Sequence, residues 1–279
     1  MIYELDKSKF GMISNILNKN SDNIEVKAII EGINPGWIFV DSLDKPKVAV
    51  VWSAGQEGFY FVGNENIVEF NNSINDFIDN EIEERAINKD LKRFEFSGET
   101  EKWCSVFEKI FSKRKLRTSK QYVYKLEKND WENYNKGLNS SKYKLHKIDK
   151  QLLENKEIQN TIFLTKEILR WWSSLDDFFN KSHGFCMIDK NKITNYSLGN
   201  FYIDNVMTIG IETLKEYRRQ GLSQITSEAF IGKCFEENNK VQWECMGENI
   251  ASYKLAEKLK FKRTKEYTLY SFPFCKLKN

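Results

Sequence analysis

Short apolar runs broken by glycine and polar turns recur along the chain, and several of them repeat one another. Gly36-Trp37-Ile38-Phe39-Val40-Asp41 is a glycine, an aromatic, three apolar residues and an aspartate, and Gly184-Phe185-Cys186-Met187-Ile188-Asp189 has the same order. Each is followed by a polar turn and a second apolar run, Val48–Trp52 in one case and Ile193–Leu198 in the other. Apolar segments of this length on either side of a polar turn predict β-hairpins. Farther on, Phe94-Glu95-Phe96-Ser97-Gly98-Glu99 matches Trp243-Glu244-Cys245-Met246-Gly247-Glu248, and Arg117-Thr118 before Tyr122 matches Arg263-Thr264 before Tyr267. The spacings are 148 (36 to 184), 149 (94 to 243) and 146 (117 to 263). A repeat as long as a domain is a duplication rather than a solenoid. The pattern predicts an α+β (mixed α/β) chain of two similar halves, each a mostly antiparallel sheet flanked by helices. The halves span residues 1–135 and 140–279, with the joint in the small polar stretch Asn135–Ser141.

One difference between the halves carries chemistry. In the second, the apolar strand Val206–Ile211 leads into Tyr217-Arg218-Arg219-Gln220-Gly221-Leu222-Ser223, which opens a helix. A helix start offers backbone N–H groups without intrahelical partners and a partial positive charge, which suits a phosphate. Gly221 lets the backbone approach a ligand closely, and Arg218 and Arg219 add charge. An ordinary strand-to-helix turn with a solvated basic patch is the competing reading. The first half has no Arg-x-x-Gly at the corresponding place, near Gly63-Asn64-Glu65-Asn66, and it carries Thr100 and Trp103 where the second carries Asn249 and Ser252.

Arg218, Gly221 and Ser223 fill the Q/R-x-x-G-x-G/A turn of the GNAT superfamily of acyl-CoA-dependent N-acyltransferases, with Ser223 in place of the last small residue. The segment Asn249-Ile250-Ala251-Ser252 through Leu259-Lys260-Phe261 resembles the family's later helix, with Lys260 replacing a glycine. The zwittermicin-resistance branch is similar in Ile211-Glu212-Thr213, in Trp243-x-Cys245 and in Ser252 to Leu259. The resemblance implies tandem GNAT-like domains: a degenerate N-terminal one, and a C-terminal one that binds acetyl-CoA and acetylates a primary amine of a small molecule. It implies that Ile211, Glu212 and Thr213 line the pantetheine arm, that Arg218, Arg219, Gln220, Gly221, Leu222, Ser223 and Gln224 hold the pyrophosphate, and that Asn249, Ser252 and Tyr253 meet the arm from the other side. Asn249 and Ser252 equally suit a helix cap.

The family's usual strand glutamate falls near Met207 or Thr208, neither of which is a base, and its usual tyrosine acid falls on Ala256. Glu212, Glu244 and Asp204 are the remaining base candidates, Glu244 having a counterpart, Glu95, in the half without the phosphate turn. Trp171, Trp172, Asp176 and Asp177 lie where the family walls its acceptor site, and suit a cationic amine held by ring and carboxylate. An amphipathic helix with buried aromatics accounts for them as well.

Composition narrows the alternatives. A net charge of +3 with 30% charged residues is a mixed surface, so no nucleic-acid partner is expected. Tandem GNAT-like halves also occur in tRNA-dependent aminoacyl transferases, and a CoA-binding sensor or scaffold without turnover is a further reading. Five dispersed cysteines without a C-x-x-C pair suit reduced thiols in a cytoplasm. Two histidines leave no His-based metal site in view, and His183 is expected at the surface or as a cap. The acidic, polar start Met1–Lys7 leads one to expect no signal peptide, and no apolar run approaches the ~20 residues of a membrane helix. No oligomeric state follows from the sequence.

Overall fold

The structure, a computed structural model, describes residues 1–19, 21–134 and 143–275. The expected joint at Asn135–Ser141 lies outside the described residues. In chain order the elements are β1 (Tyr3–Glu4), α1 (Ile24–Ile30), β2 (Gly36–Val40), β3 (Val48–Ser53), β4 (Phe59–Gly63), α2 (Val68–Phe77), α3 (Glu83–Ile87), β5 (Arg93–Gly98), α4 (Lys102–Ile110) and β6 (Arg117–Leu126). They continue with α5 (Lys128–Glu132), β7 (Lys144–Lys147), α6 (Lys150–Glu154), α7 (Thr161–Trp171), α8 (Leu175–Lys181), β8 (Gly184–Asp189), β9 (Lys192–Ile203), β10 (Val206–Thr213), α9 (Leu222–Glu236), β11 (Lys240–Met246), α10 (Ile250–Lys258) and β12 (Lys262–Pro273).

The chain divides into two compact units, Met1–Gln121 with the residues from Tyr267 onward, and Tyr122–Glu266. This cut differs from the expected 1–135 and 140–279, because two strands change unit along their length. β6 begins in the first unit and ends in the second, whereas β12 begins in the second and ends in the first.

In the first unit the strands lie in the order β1-β2-β3-β4-β5-β12. Neighbours are antiparallel except β4 and β5. In the second the order is β6-β11-β10-β9-β8-β7, with β10 and β11 parallel and the pairs from β10 to β7 antiparallel. Both expected hairpins form. Gly36 pairs with Ser53 in the first and Gly184 with Leu198 in the second. Both glycines exist for the same reason. A Cβ on Gly36 would lie 2.5 Å from the Trp52 carbonyl and 2.7 Å from Ile29, and one on Gly184 would lie 2.6 Å from Leu198 and 3.0 Å from Ile148. In each half an isoleucine from the preceding segment presses onto the first residue of the hairpin.

The first unit is packed with rings. Phe59, Phe61, Phe94, Phe96, Trp103, Phe107, Phe111, Tyr270 and Phe272 share one buried cluster. Its β4–β5 ladder runs from Phe59↔Phe96 to Phe61↔Gly98 and is extended by the Glu99 N–H on the Phe61 carbonyl. Trp103 fills the space beside it, since a Cβ on Gly98 would sit 2.2 Å from the Trp103 side chain. In the second unit α9 covers one face of the sheet, where Met207, Ile209, Phe230, Cys234, Val241 and Trp243 pack with Tyr124 and Trp131.

His183 corrects the expectation of a surface or capping residue. It is 4% exposed, and its Nε2 lies 3.2 Å from the Phe230 carbonyl of α9. An imidazole at a strand entrance is amphipathic enough to be covered by a helix that offers it an acceptor. Among the described residues, no helix is long and apolar enough to cross a membrane, and none of the five cysteines is in a disulfide.

Two outcomes follow from this packing. Phe272 is fully buried, 5.3 Å from Phe94 and 5.2 Å from Phe111. Phe272→Ala should cost about 3–5 kcal/mol in denaturant unfolding, from lost burial and the cavity left behind. Burial holds the His183 imidazole below its ordinary 6.5. Between the depressed folded value and 6.5, only the unfolded chain takes up the proton. Unfolding free energy should therefore fall as pH drops through 6.5, and His183→Gln should flatten that slope.

Candidate active site

The second unit differs from the first where its two parallel strands meet. β10 and β11 pair only at Val206↔Lys240, Met207↔Val241 and Thr208↔Gln242. Past Thr208 and Gln242 both strands run on, to Thr213 and Met246, with no further pairing to each other among the described residues. β10 stays anchored to β9 throughout, from Val206↔Ile203 to Thr213↔Asn195. The ladder ends beside a β-bulge. Met207 faces Tyr202 but Ile209 faces Gly199, so β9 carries one extra residue there. The Thr208 hydroxyl accepts the Phe201 N–H at 3.0 Å and so satisfies the backbone that the bulge displaces. Gly210 leaves room for the Asn200 side chain, which lies 2.3 Å from where its Cβ would stand. The result is a slot whose β10 wall, Ile209–Thr213, has backbone on the β11 side without a strand partner.

At the end of that wall the chain turns into α9. Arg218 Nε donates to the Thr213 carbonyl at 3.0 Å and its Nη2 lies 3.2 Å from Glu212. Arg219 and Gly221 both have left-handed backbones, with φ of 63° and 76°. Among the described residues, a Cβ on Gly221 would meet nothing within 4 Å. The first N–H groups to bond inside the helix are those of Gln224 and Ile225, both on the Gly221 carbonyl. The N–H groups of Leu222 and Ser223 therefore have no intrahelical partner, and among the described residues no side chain caps the helix. Side chains cap α6, α8 and α10 (Asp149, Ser174 and Asn249), whereas α2, α4, α5 and α7 resemble α9 in having no side-chain cap among the described residues.

A buried polar network fixes this turn. Asn195 Nδ2 donates to the Glu212 carbonyl at 2.7 Å and to Thr213 Oγ1 at 2.6 Å, and Thr213 and Ser223 hydroxyls are 2.7 Å apart. Thr226 Oγ1 donates to Asn195 Oδ1 at 2.7 Å, and Ser197 bonds Thr226 at 2.9 Å. Asn195, Ser197 and Thr226 are all buried. Strand β9, the end of β10 and the first turn of α9 are thus one hydrogen-bonded body. Ser223, the departure from the family's small residue, is part of it. Sequence reading missed Asn195, Ser197 and Thr226. The available signal was the alternation of polar residues at 195 and 197 within an apolar run, which by itself reads as a solvent face.

The other expected residues fall into groups. Gln220 accepts from Tyr143 at 2.7 Å, Leu222 is buried against Tyr143 and Met187, and Gln224 donates to Tyr134 and Glu228. Ile211 packs in the α9 core. Asn249 Oδ1 accepts the Ser252 N–H, so the capping reading holds for it. Ser252 Oγ accepts the Trp243 indole N–H at 3.0 Å, and Tyr253 packs edge-on to Tyr122. Cys245 is buried, and burial raises its thiol, which suits a core residue and not a nucleophile.

The base candidates are spread out. Glu212 is tied to Arg218 in the turn. Asp204 has a left-handed backbone in the β9–β10 turn, at the opposite end of β10 from Arg218, the strand between them being about 23 Å long at ~3.3 Å per residue. Glu244 alone follows the last ladder pair directly, two residues beyond Gln242. Gln242 Nε2 donates to it at 2.7 Å.

Of the expected acceptor residues, the two tryptophans meet β9 at the bulge. Trp172 is buried and donates its indole N–H to the Gly199 carbonyl at 2.9 Å, and Trp171 meets Phe201 edge-on at 5.5 Å. Asp177 caps α8 with Ser174 and pairs with Lys181 at 3.0 Å, while Asp176 pairs with Lys150 at 2.6 Å. Both carboxylates are thus engaged locally. Sequence reading passed over Tyr196 and Glu167. The Tyr196 hydroxyl donates to Glu167 at 3.3 Å, and burial, then Glu167 and Glu212, push its phenol far above the ordinary range, so it stays protonated.

A sheet opened between parallel strands, with an uncapped, glycine-led helix at the end of one of them, is the architecture of a CoA-dependent acyltransferase. A GNAT acetyltransferase profile matches residues 14–270, and the chain belongs to the GNAT acetyltransferase family. It is 27% identical over 271 residues to the uncharacterized N-acetyltransferase YdfB of Bacillus subtilis (strain 168), covering 97% of this chain and 98% of that one. Its fold is similar to a GCN5-related N-acetyltransferase-like protein from Streptococcus suis 89/1591, with a TM-score of 0.67 at 17% identity over 95% of this chain and 98% of the other. It is also similar to a tandem GNAT protein from the clavulanic acid biosynthesis pathway, with a TM-score of 0.61 at 8% identity over 98% of each chain. The chain is a transferase of tandem GNAT architecture whose family moves acyl groups from acyl-CoA.

Thr226→Val keeps the shape of that side chain but removes the donor to Asn195 Oδ1, leaving a buried acceptor unpaired. It should destabilise the protein by about 1–3 kcal/mol, read as a lower urea midpoint at unchanged slope.

Proposed function

We propose that the second half transfers the acetyl group of acetyl-CoA to a primary amine of a small molecule, and that the first half binds no CoA. The observation that carries this reading is the contrast between the two parallel pairs. In the second half the strands part after Thr208↔Gln242. In the first a ladder of equal length reaches Gly98, the last residue of β5, with Trp103 packed beside it.

The residues fit the cofactor. Leu222 and Ser223 N–H groups, Gly221 and the two arginines suit a pyrophosphate, and the unpartnered edge Ile209–Thr213 suits an amide-bearing arm that adds to it like a strand. Acetyl-CoA supplies the activated thioester. The chain's part is to hold it in the slot, to orient the amine and to take a proton. Glu244, the carboxylate nearest the end of the ladder, is the base in this reading. It accepts a proton from the amine as the nitrogen bonds to the acetyl carbon, and passes it to solvent. The departing thiolate, with an ordinary pKa near 8.5, takes its proton from water. Ala256 is fully buried and supplies no acid. Trp171, Phe201, Tyr196 and Glu167 make the acceptor side aromatic with one carboxylate, and Arg170, 5.6 Å over the Trp171 ring, shows that this ring takes a cation.

A second reading, CoA binding without turnover, draws on Thr208. Its hydroxyl is occupied by the Phe201 N–H where a base would otherwise stand. Thiol release from acetyl-CoA with a panel of primary amines (butylamine, phenethylamine, spermidine and an amino sugar) separates the two. Turnover of at least one amine is expected, and none would favour the sensor. Calorimetry should give one CoA per chain. Arg218→Ala should weaken CoA about tenfold or more, the worth of one hydrogen bond to a charged group. Two CoA per chain, or an unchanged Kd, would sink the reading.

A further inference from the structure

Gln242 is the last residue of β11 to pair with β10, and it is 1% exposed. Its Nε2 donates to Glu244 Oε1 at 2.7 Å, while its Oε1 has no hydrogen-bond partner among the described residues. The opposite amide orientation would set two oxygens against each other, so the donor must face the carboxylate. A buried acceptor without a partner destabilises a fold, and an apolar side chain of the same length would avoid that cost. The first half lacks the arrangement. The residue two before Glu95 is Arg93, and its guanidinium donates to Ser271 instead. The glutamine–glutamate pair thus occurs only in the half whose strands part.

We infer that Gln242 is a positioning residue for acetyl transfer. Its amide fixes the plane of the Glu244 carboxylate at the point where the strands part, so that the carboxylate meets the amine in one orientation. This rests on Glu244 being the base. Residues 242 and 244 alternate to the same face of β11, the face of Thr208, while Trp243 and Cys245 point to α10 and the core. A neutral donor suits the task. It orients a carboxylate without the full positive charge that would make it a poorer base.

The test is a double-mutant cycle on the full chain, assayed by thiol release from acetyl-CoA with the amine of the panel above that turns over fastest. Glu244→Gln should lower kcat about a hundredfold or more, as loss of a general base does. Gln242→Met should lower kcat at least tenfold, leave the KM for acetyl-CoA unchanged, and hold or raise Tm because the unpaired acceptor is gone. In the Glu244→Gln background, Gln242→Met should cause no further loss, since its effect runs through the carboxylate. Gln242→Asn, which keeps the amide but withdraws it by one methylene, should lose kcat in the same way and serves if the Met variant folds poorly. Full kcat in Glu244→Gln would overturn the base assignment itself. An impaired Glu244→Gln with either full kcat in Gln242→Met, or an equal further loss in the double variant, would overturn the role of Gln242 alone.

Discussion

What is particular to the second half depends on the β10–β11 ladder stopping at Thr208↔Gln242 while β11 runs on to Met246. Parallel strands side by side normally satisfy each other's backbone groups along their whole shared length. Here β10 is held on its other edge by β9 as far as Thr213, and its end is fastened by Asn195 to the first turn of α9. β11 meanwhile follows Trp243 and Cys245 into the core around α10. The two strands answer to different neighbours, and the slot between them is the consequence. A bulge in β9, with Thr208 and Gly210 adapted to it, sets the place where they part.

The two halves show how one architecture is opened or closed by side-chain volume. In the first, rings from β4, β5, α4 and β12 interlock, and Trp103 stands at the position equivalent to Ser252. In the second, Ser252 is a small hydroxyl that holds the Trp243 indole back toward the core. A large ring beside the β5 end packs the sheet shut, whereas a small polar residue at the matching place leaves the strands room to separate. Burying an aromatic side chain in the first half stabilises that half and removes the space a ligand needs.

The hairpins, the repeat and the glycine-led turn into α9 were legible because each is written in local residue order: glycine before an apolar run, Arg-x-x-Gly before a helix. The buried network of Asn195, Ser197 and Thr226 was not, because an alternating polar pattern looks the same whether water or a helix covers it. His183 was misread for a related reason, since nothing nearby in sequence announces that Phe230 offers it a carbonyl. The capping reading of Asn249 was legible and is realised, as the Asn-x-x-Ser spacing already matches the geometry of a helix start.

The amino-acid sequence by itself determined the class of fold, the repeat and the location of the helix-start turn, since these follow from periodicity and from the backbone freedom of glycine at Gly221. Only the tertiary structure decided which of two equivalent strand pairs opens, where the compact units are cut, and which glutamate stands beside the opening. Those outcomes turn on pairings between residues far apart in the chain. Tyr270 against Phe96 carries β12 into the first unit, Asn195 against Thr226 ties β9 to α9, and the last strand pair, Thr208 with Gln242, sets Glu244 just past the ladder's end. No local pattern encodes such pairings, because each is selected by the whole set of neighbours competing for the same surface.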